Sequence, residues 1–118
     1  MAGRKTTQEI NQLTEYVFSK VSSKMLVDEV ILFGSYAKGE ETDLSDVDIA
    51  IVCPELDSAN ALFRNTLNVI RATGLCEPYL QLLAFPSEIY YNEELYCDPD
   101  FIREIKRTGK VFFKKTVD

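Results

Sequence analysis

Two short stretches of this chain carry residue types suited to phosphate and metal chemistry. An apolar run, Val30 to Phe33, breaks at Gly34-Ser35, and Asp46-Val47-Asp48 leads into a second apolar run, Ile49 to Val52. Where a strand feeds a helix N-terminus, free N–H groups point outward and the helix dipole favours an anion. Gly34 has no Cβ to hold a phosphate oxygen away from the backbone, and Ser35 adds a hydroxyl donor. Taken alone, Gly34-Ser35 reads as a capped turn. Asp46 and Asp48, two apart on a strand, emerge on one face roughly 6.5 Å apart along the backbone. Their carboxylates can converge on one Mg²⁺, or bridge a pair of ions about 3.5–4 Å apart. Taken alone, this stretch reads equally well as a hydrated turn. The ten-residue spacer from 36 to 45 puts the two stretches on successive elements. Together they make a phosphate cradle and a metal clamp, the minimum equipment for nucleotide chemistry.

Other routes to catalysis are closed by composition. The chain has no histidine, which removes Ser-His-Asp and Cys-His nucleophiles, His-ligated zinc and His acid–base work. Cys53, Cys76 and Cys97 are odd in number and widely spaced, so neither a disulfide framework nor a zinc site is expected. A net charge of −6 over 118 residues argues against direct nucleic-acid binding, which depends on neutralising phosphates. Glu40, Glu41, Asp43, Asp46 and Asp48 crowd one short stretch and attract cations. Arg103, Lys106, Arg107, Lys110, Lys114 and Lys115 crowd the C-terminus, where a solvated helix face and a charged edge strand account for them. No stretch is long and apolar enough for a membrane span, and the first residues lack the apolar core of a signal peptide. One cytoplasmic domain over residues 1–118 is the expectation.

The elements that would position the site follow from periodicity and caps. Thr6 and Glu9 form a capping-box pattern ahead of Ile10, Leu13, Val17 and Val21 at helical spacing, predicting a helix over about 7–24. Residues 27–33 read as a central strand covered on both faces. Ser35 falls at an N-cap position, and Gly39 ends a helix of about one turn. A strand over 47–53 closes at Pro54. Asp57-Ser58 is the expected cap of a helix whose core face is Leu62, Phe63, Thr66, Leu67 and Ile70, stopped by Gly74. A strand over 79–85 follows, then a short helix with loop over 87–97. Asp98 caps a helix over 99–107 with Phe101, Ile102 and Ile105 inward, and 110–114 is a closing strand. The order α-β-α-β-α-β-α-β is that of a small α/β domain.

With both motifs on these elements, the chain resembles the minimal nucleotidyltransferases of the DNA polymerase β-like superfamily. The residues that carry the resemblance are Gly34-Ser35-Tyr36-Ala37-Lys38-Gly39, Ser45-Asp46-Val47-Asp48-Ile49, and the closing helix, glycine and strand over 101–113. It covers nearly the whole chain. The resemblance implies a small mixed sheet with covering helices. It also implies that Gly34 and Ser35 hold the β- and γ-phosphates of a nucleoside triphosphate, that Asp46 and Asp48 hold one Mg²⁺ or two, and that Lys38 steadies a phosphate. An exposed turn lysine is the plainer reading of Lys38.

The family's third carboxylate is replaced. Gln81 occupies its position, and an amide cannot serve as a base toward an attacking hydroxyl. Glu77, four residues earlier and about 13 Å along a strand, is a poor substitute. The function expected from the resemblance is transfer of a nucleoside monophosphate, AMP in the first instance, to a hydroxyl acceptor. That acceptor must come from a partner or a second subunit, and the family suggests a tyrosine of a HEPN-type helical toxin, with this chain as antitoxin. The alternative is an inhibitory subunit with weakened catalysis that binds nucleotide and metal, or only the partner. A third reading, a generic α/β domain with a fortuitous acidic turn, has less in its favour. Tyr79, Tyr90, Tyr91 and Tyr96 read as packing residues before they read as a base-stacking platform.

Overall fold

A computed structural model describes residues 4–116. Helix α1 (Thr7–Ser22) starts at the anticipated capping box. The Glu9 N–H donates to Thr6 Oγ1 (3.1 Å) and the Thr6 N–H donates to Glu9 Oε1 (2.8 Å). Strand β1 (Glu29–Phe33) runs directly into helix α2 (Gly34–Lys38), and β2 (Val47–Cys53) follows the polar loop. Next come α3 (Leu62–Thr73), β3 (Leu80–Pro86), the single turn α4 (Ser87–Tyr90), a 3₁₀ turn at Glu93–Leu95, α5 (Pro99–Thr108) and β4 (Lys110–Lys114). The α/β order is as expected, with a 3₁₀ turn in the 87–97 stretch beside the short helix anticipated there.

The four strands form one mixed sheet in the order β3-β2-β1-β4. β1 is antiparallel to β2 and β4, whereas β2 and β3 are parallel. Alternation on β2 sends Val47, Ile49, Ile51 and Cys53 to one face and Asp48, Ala50 and Val52 to the other. The first face packs beneath α1 and α3, where Val17, Val21 and Val69 are fully buried. The second packs beneath α4 and α5 through Phe85, Ile102 and Ile105. Each such aliphatic side chain stabilises the fold by about 1.5–3 kcal/mol relative to exposure. Apolar residues on both faces explain why β2 reads as a nearly unbroken hydrophobic run.

Helix α3 departs from the sequence expectation. It begins at Leu62 after Ala61, with no side-chain cap. Asp57 closes a preceding turn, accepting from the Ala59 N–H at 2.9 Å. Its buried residues are Asn65, Thr66, Val69 and Thr73, while Phe63 is 73% exposed. The polar members are satisfied: Asn65 Nδ2 donates to the Asp57 carbonyl (3.0 Å), and Thr66 Oγ1 donates to the Leu62 carbonyl and accepts the Ala84 N–H (3.1 Å). That last bond fastens the helix to β3, an edge strand. The opposite edge, β4, has lysines at both ends and a bulge that leaves Phe112 without a partner on β1. Among the described residues no helix is long and apolar enough to cross a membrane.

Candidate functional site

The sheet end formed by the C-terminus of β1 and the start of β2 brings the two motifs together. In the antiparallel register Phe33 is paired with Asp48, so Gly34 and Ser35 leave β1 beside the strand that carries the carboxylates. Helix α2 begins one residue earlier than anticipated, at Gly34, with Phe33 as its N-cap and no side-chain cap. Ser35 therefore lies inside the first turn and does not cap it, with its carbonyl taken by the Glu40 N–H at 2.9 Å. Gly39 closes the turn in the left-handed conformation, at φ +71°.

Gly34 itself is left-handed, at φ +72°, and the Asp48 side chain lies against its Cα. A Cβ at this position would overlap Asp48 Oδ2 and Cγ. The sequence suggests the glycine for close phosphate approach. The structure adds a second demand, room for the carboxylate, and no sequence signal separates the two.

Asp46 is exposed just before β2, and Asp48 is half-buried on it, on the α5 face. Burial first and the Asp46 charge second push the Asp48 carboxyl up to about 6. A carboxylate pair left in mutual repulsion beside a dipeptide of backbone donors is a site that a hard cation would relax. Two carboxylates are donors of the kind Mg²⁺ takes, and Asp46 and Asp48 are the residues here that would supply them. It is nonetheless a lean set: among the described residues no group of three or more His, Cys, Asp or Glu side chains could hold a metal. Gln81 is the β3 residue directly opposite Asp48 and is exposed. An amide thus stands across from Asp48 at this end of the sheet. Lys38 is exposed and reaches Glu40 Oε1 at 3.7 Å.

No local signal in the sequence marks the N-terminal segment as attending this end of the sheet. The Lys5 N–H donates to the Tyr36 hydroxyl (2.9 Å), and Lys5 Nζ lies 5.3 Å from the Tyr79 ring centre. Arg4 pairs with Asp43 at 3.5 Å. The tyrosines mostly pack: Tyr90 and Tyr96 meet Phe85 at 5.7 and 6.1 Å between ring centres. The Tyr91 hydroxyl donates to the buried Glu29 carboxylate at 2.5 Å.

A family model described as a nucleotidyltransferase domain matches residues 10–116. Two Methanocaldococcus jannaschii proteins, provisionally named as protein adenylyltransferases, are similar in part. One is 39% identical over 56 residues, covering 48% of this chain and 53% of the relative; the other is 38% identical over 47 residues, covering 40% and 48%. The matched stretch thus spans about half the length of each relative. Among solved structures, a provisionally assigned nucleotidyltransferase from Sulfolobus solfataricus superposes with a TM-score of 0.62 at 19% identity, over 98% of this chain and 93% of that one. A toxin–antitoxin with AMP-PNP gives 0.55 at 15%, over 87% and 74%. The MntA–HpeT toxin–antitoxin with two Asp-to-Glu substitutions gives 0.53 at 14%, over 90% and 74%. At such identities these three establish the likeness of fold.

Proposed function

The chain belongs to the nucleotidyltransferase domain family, and from that premise we propose that it transfers a nucleoside monophosphate, in the first instance AMP, from a triphosphate to a hydroxyl of an acceptor protein. The observation that carries this reading is the Phe33–Asp48 register pair, which sets Gly34-Ser35 beside the Asp46/Asp48 carboxylates. The free N–H groups of the first α2 turn and the Ser35 hydroxyl bind the β- and γ-phosphates. Lys38, exposed on the last residue of that turn, exchanges Glu40 for a phosphate oxygen. Asp46 and Asp48 hold Mg²⁺, which when bound neutralises charge developing on the phosphates. The half-buried Asp48 is the ligand whose ionisation gains most from a cation, because it is both desolvated and repelled by Asp46.

Adenylylation and a protein acceptor follow the names of the partial relatives, and a toxin partner follows the assemblies with which the fold is shared. A tyrosine on a HEPN-type partner is the specific acceptor we propose, with this chain as the antitoxin.

A second reading is favoured by Gln81. With an amide opposite Asp48, the site binds nucleotide and metal but deprotonates an acceptor poorly, and the chain acts by holding its partner. Incubation with Mg²⁺ and α-labelled ATP, alone and with the product of the adjacent gene, tests both. Covalent label that disappears in Asp46→Asn supports transfer. Thermal stabilisation by Mg²⁺–ATP without label supports the second reading, and absence of both defeats the two together.

A further inference from the structure

We propose that the cleft on the β3 side of the site docks the acceptor polypeptide through an apolar side chain, flanked by basic residues and about four positions from the accepting hydroxyl. The inference rests on the transferase reading and begins with in-line displacement. The acceptor oxygen forms its bond to the α-phosphorus as the bridging bond to the β-phosphate breaks. Pyrophosphate leaves with that electron pair, and the hydroxyl proton passes to solvent, since Gln81 cannot take it. The leaving phosphates lie at Gly34-Ser35, on the β1 side of Asp48. The sheet order β3-β2-β1-β4 therefore brings the acceptor from the opposite side, across β3.

There, on the same face of the sheet as Asp48, opens a cleft of about 620 Å³ between the 58–61 loop, the start of α3, the end of β3 and residues 95–97. Its walls include Phe63, Phe85, Ile89, Leu95 and Tyr96, and Phe63 and Leu95 remain 73% and 60% exposed at its mouth. A sugar or another small polar acceptor would need a polar lining, whereas this one suits an apolar side chain. Asp57, Glu88, Glu94 and Asp98 are exposed within one residue of lining positions, against Arg64 alone of opposite sign. That rim repels nucleic acid and attracts Lys and Arg on the incoming segment. Phe85 is paired with Val52, and Gln81 with Asp48, so the cleft begins about 13 Å from the reacting end. An extended peptide spans that distance in about four residues.

The test uses the full chain with Mg²⁺ and a non-hydrolysable ATP analogue, against arrayed synthetic peptides with a fixed central tyrosine and randomised flanks. The expected selection is an apolar residue about four positions from the tyrosine with Lys or Arg beside it. It should weaken about tenfold or more in both Ala61→Trp, which fills the cleft, and Phe63→Asp, a surface change that leaves packing intact. Nucleotide-analogue binding should persist in both. No selection, selection at unrelated spacings, or selection kept by both variants would overturn the proposal. So would loss of nucleotide-analogue binding in both variants, which would put the nucleoside in the cleft. Peptide selection in a wild type that binds no nucleotide would sink the transferase reading alone and leave the cleft as a docking site.

Discussion

Gly34 and Asp48 occupy one another's space: the carboxylate sits where the glycine's missing side chain would stand. The left-handed backbone of Gly34 and the half-buried aspartate are therefore one unit, and a side chain added at position 34 must displace the carboxylate.

Replacing Gly34 by alanine should destabilise the protein by at least about 1 kcal/mol from the positive φ alone, with a further loss as Asp48 is displaced. Urea unfolding measures the first effect. The second appears as a lost Mg²⁺–ATP thermal shift, which a remote surface variant of equal stability would retain.

Gln81→Asp should restore a third carboxylate opposite Asp48. Without Mg²⁺, like charges across adjacent strands should lower stability by up to about 1 kcal/mol, and Mg²⁺ should recover it. Labelled transfer should rise, within the range of about 10²–10⁴-fold that a positioned general base contributes. Unchanged transfer and unchanged Mg²⁺ response would remove Gln81 from the account.

How much of this was legible beforehand depended on how local the signal was. The Thr6/Glu9 box, the Asp98-Pro99 start of α5 and the Gly-Ser/Asp-x-Asp spacing are contacts within a few residues or a fixed count, and they appear where the sequence put them. The core face of α3 is legible only in part: Thr66 lies inward as expected, Phe63 does not, and Asn65 is buried only through a partner elsewhere, the Asp57 carbonyl. A buried polar side chain reads as surface until its partner is known. The overlap of Gly34 with Asp48 was hidden for the same reason, since it depends on strand register.

Burial is the largest of the influences that push the Cys53 thiol up to about 12, while Cys76 and Cys97 are exposed. Near pH 8, a maleimide should label those two in the native protein and Cys53 only after unfolding. Because the folded thiol ionises later than the unfolded one, its contribution to stability is intact below about pH 8.5. It fades as pH rises toward 12, where alkaline unfolding should meet the labelling of the third thiol.

Tyr91→Phe should cost about 1–3 kcal/mol, the range for a buried polar group left without its donor, because Glu29 is only 5% exposed and accepts from the Tyr91 hydroxyl at 2.5 Å. Burial first, then the bond to Glu29, raises the Tyr91 hydroxyl above its ordinary range, so the donor stays protonated. The double variant Tyr91→Phe/Glu29→Gln should recover part of the loss in chemical denaturation.

Thr66 leaves one further mark on the molecule. By accepting the Ala84 N–H it occupies the outer rail of β3, while the bulge at Phe112 and the flanking lysines blunt the rail of β4. Both borders of the sheet are thus partly blunted as templates for another chain. Runaway ribbon growth is thereby disfavoured, which leaves side chains in place of bare backbone as the better handle for assembly.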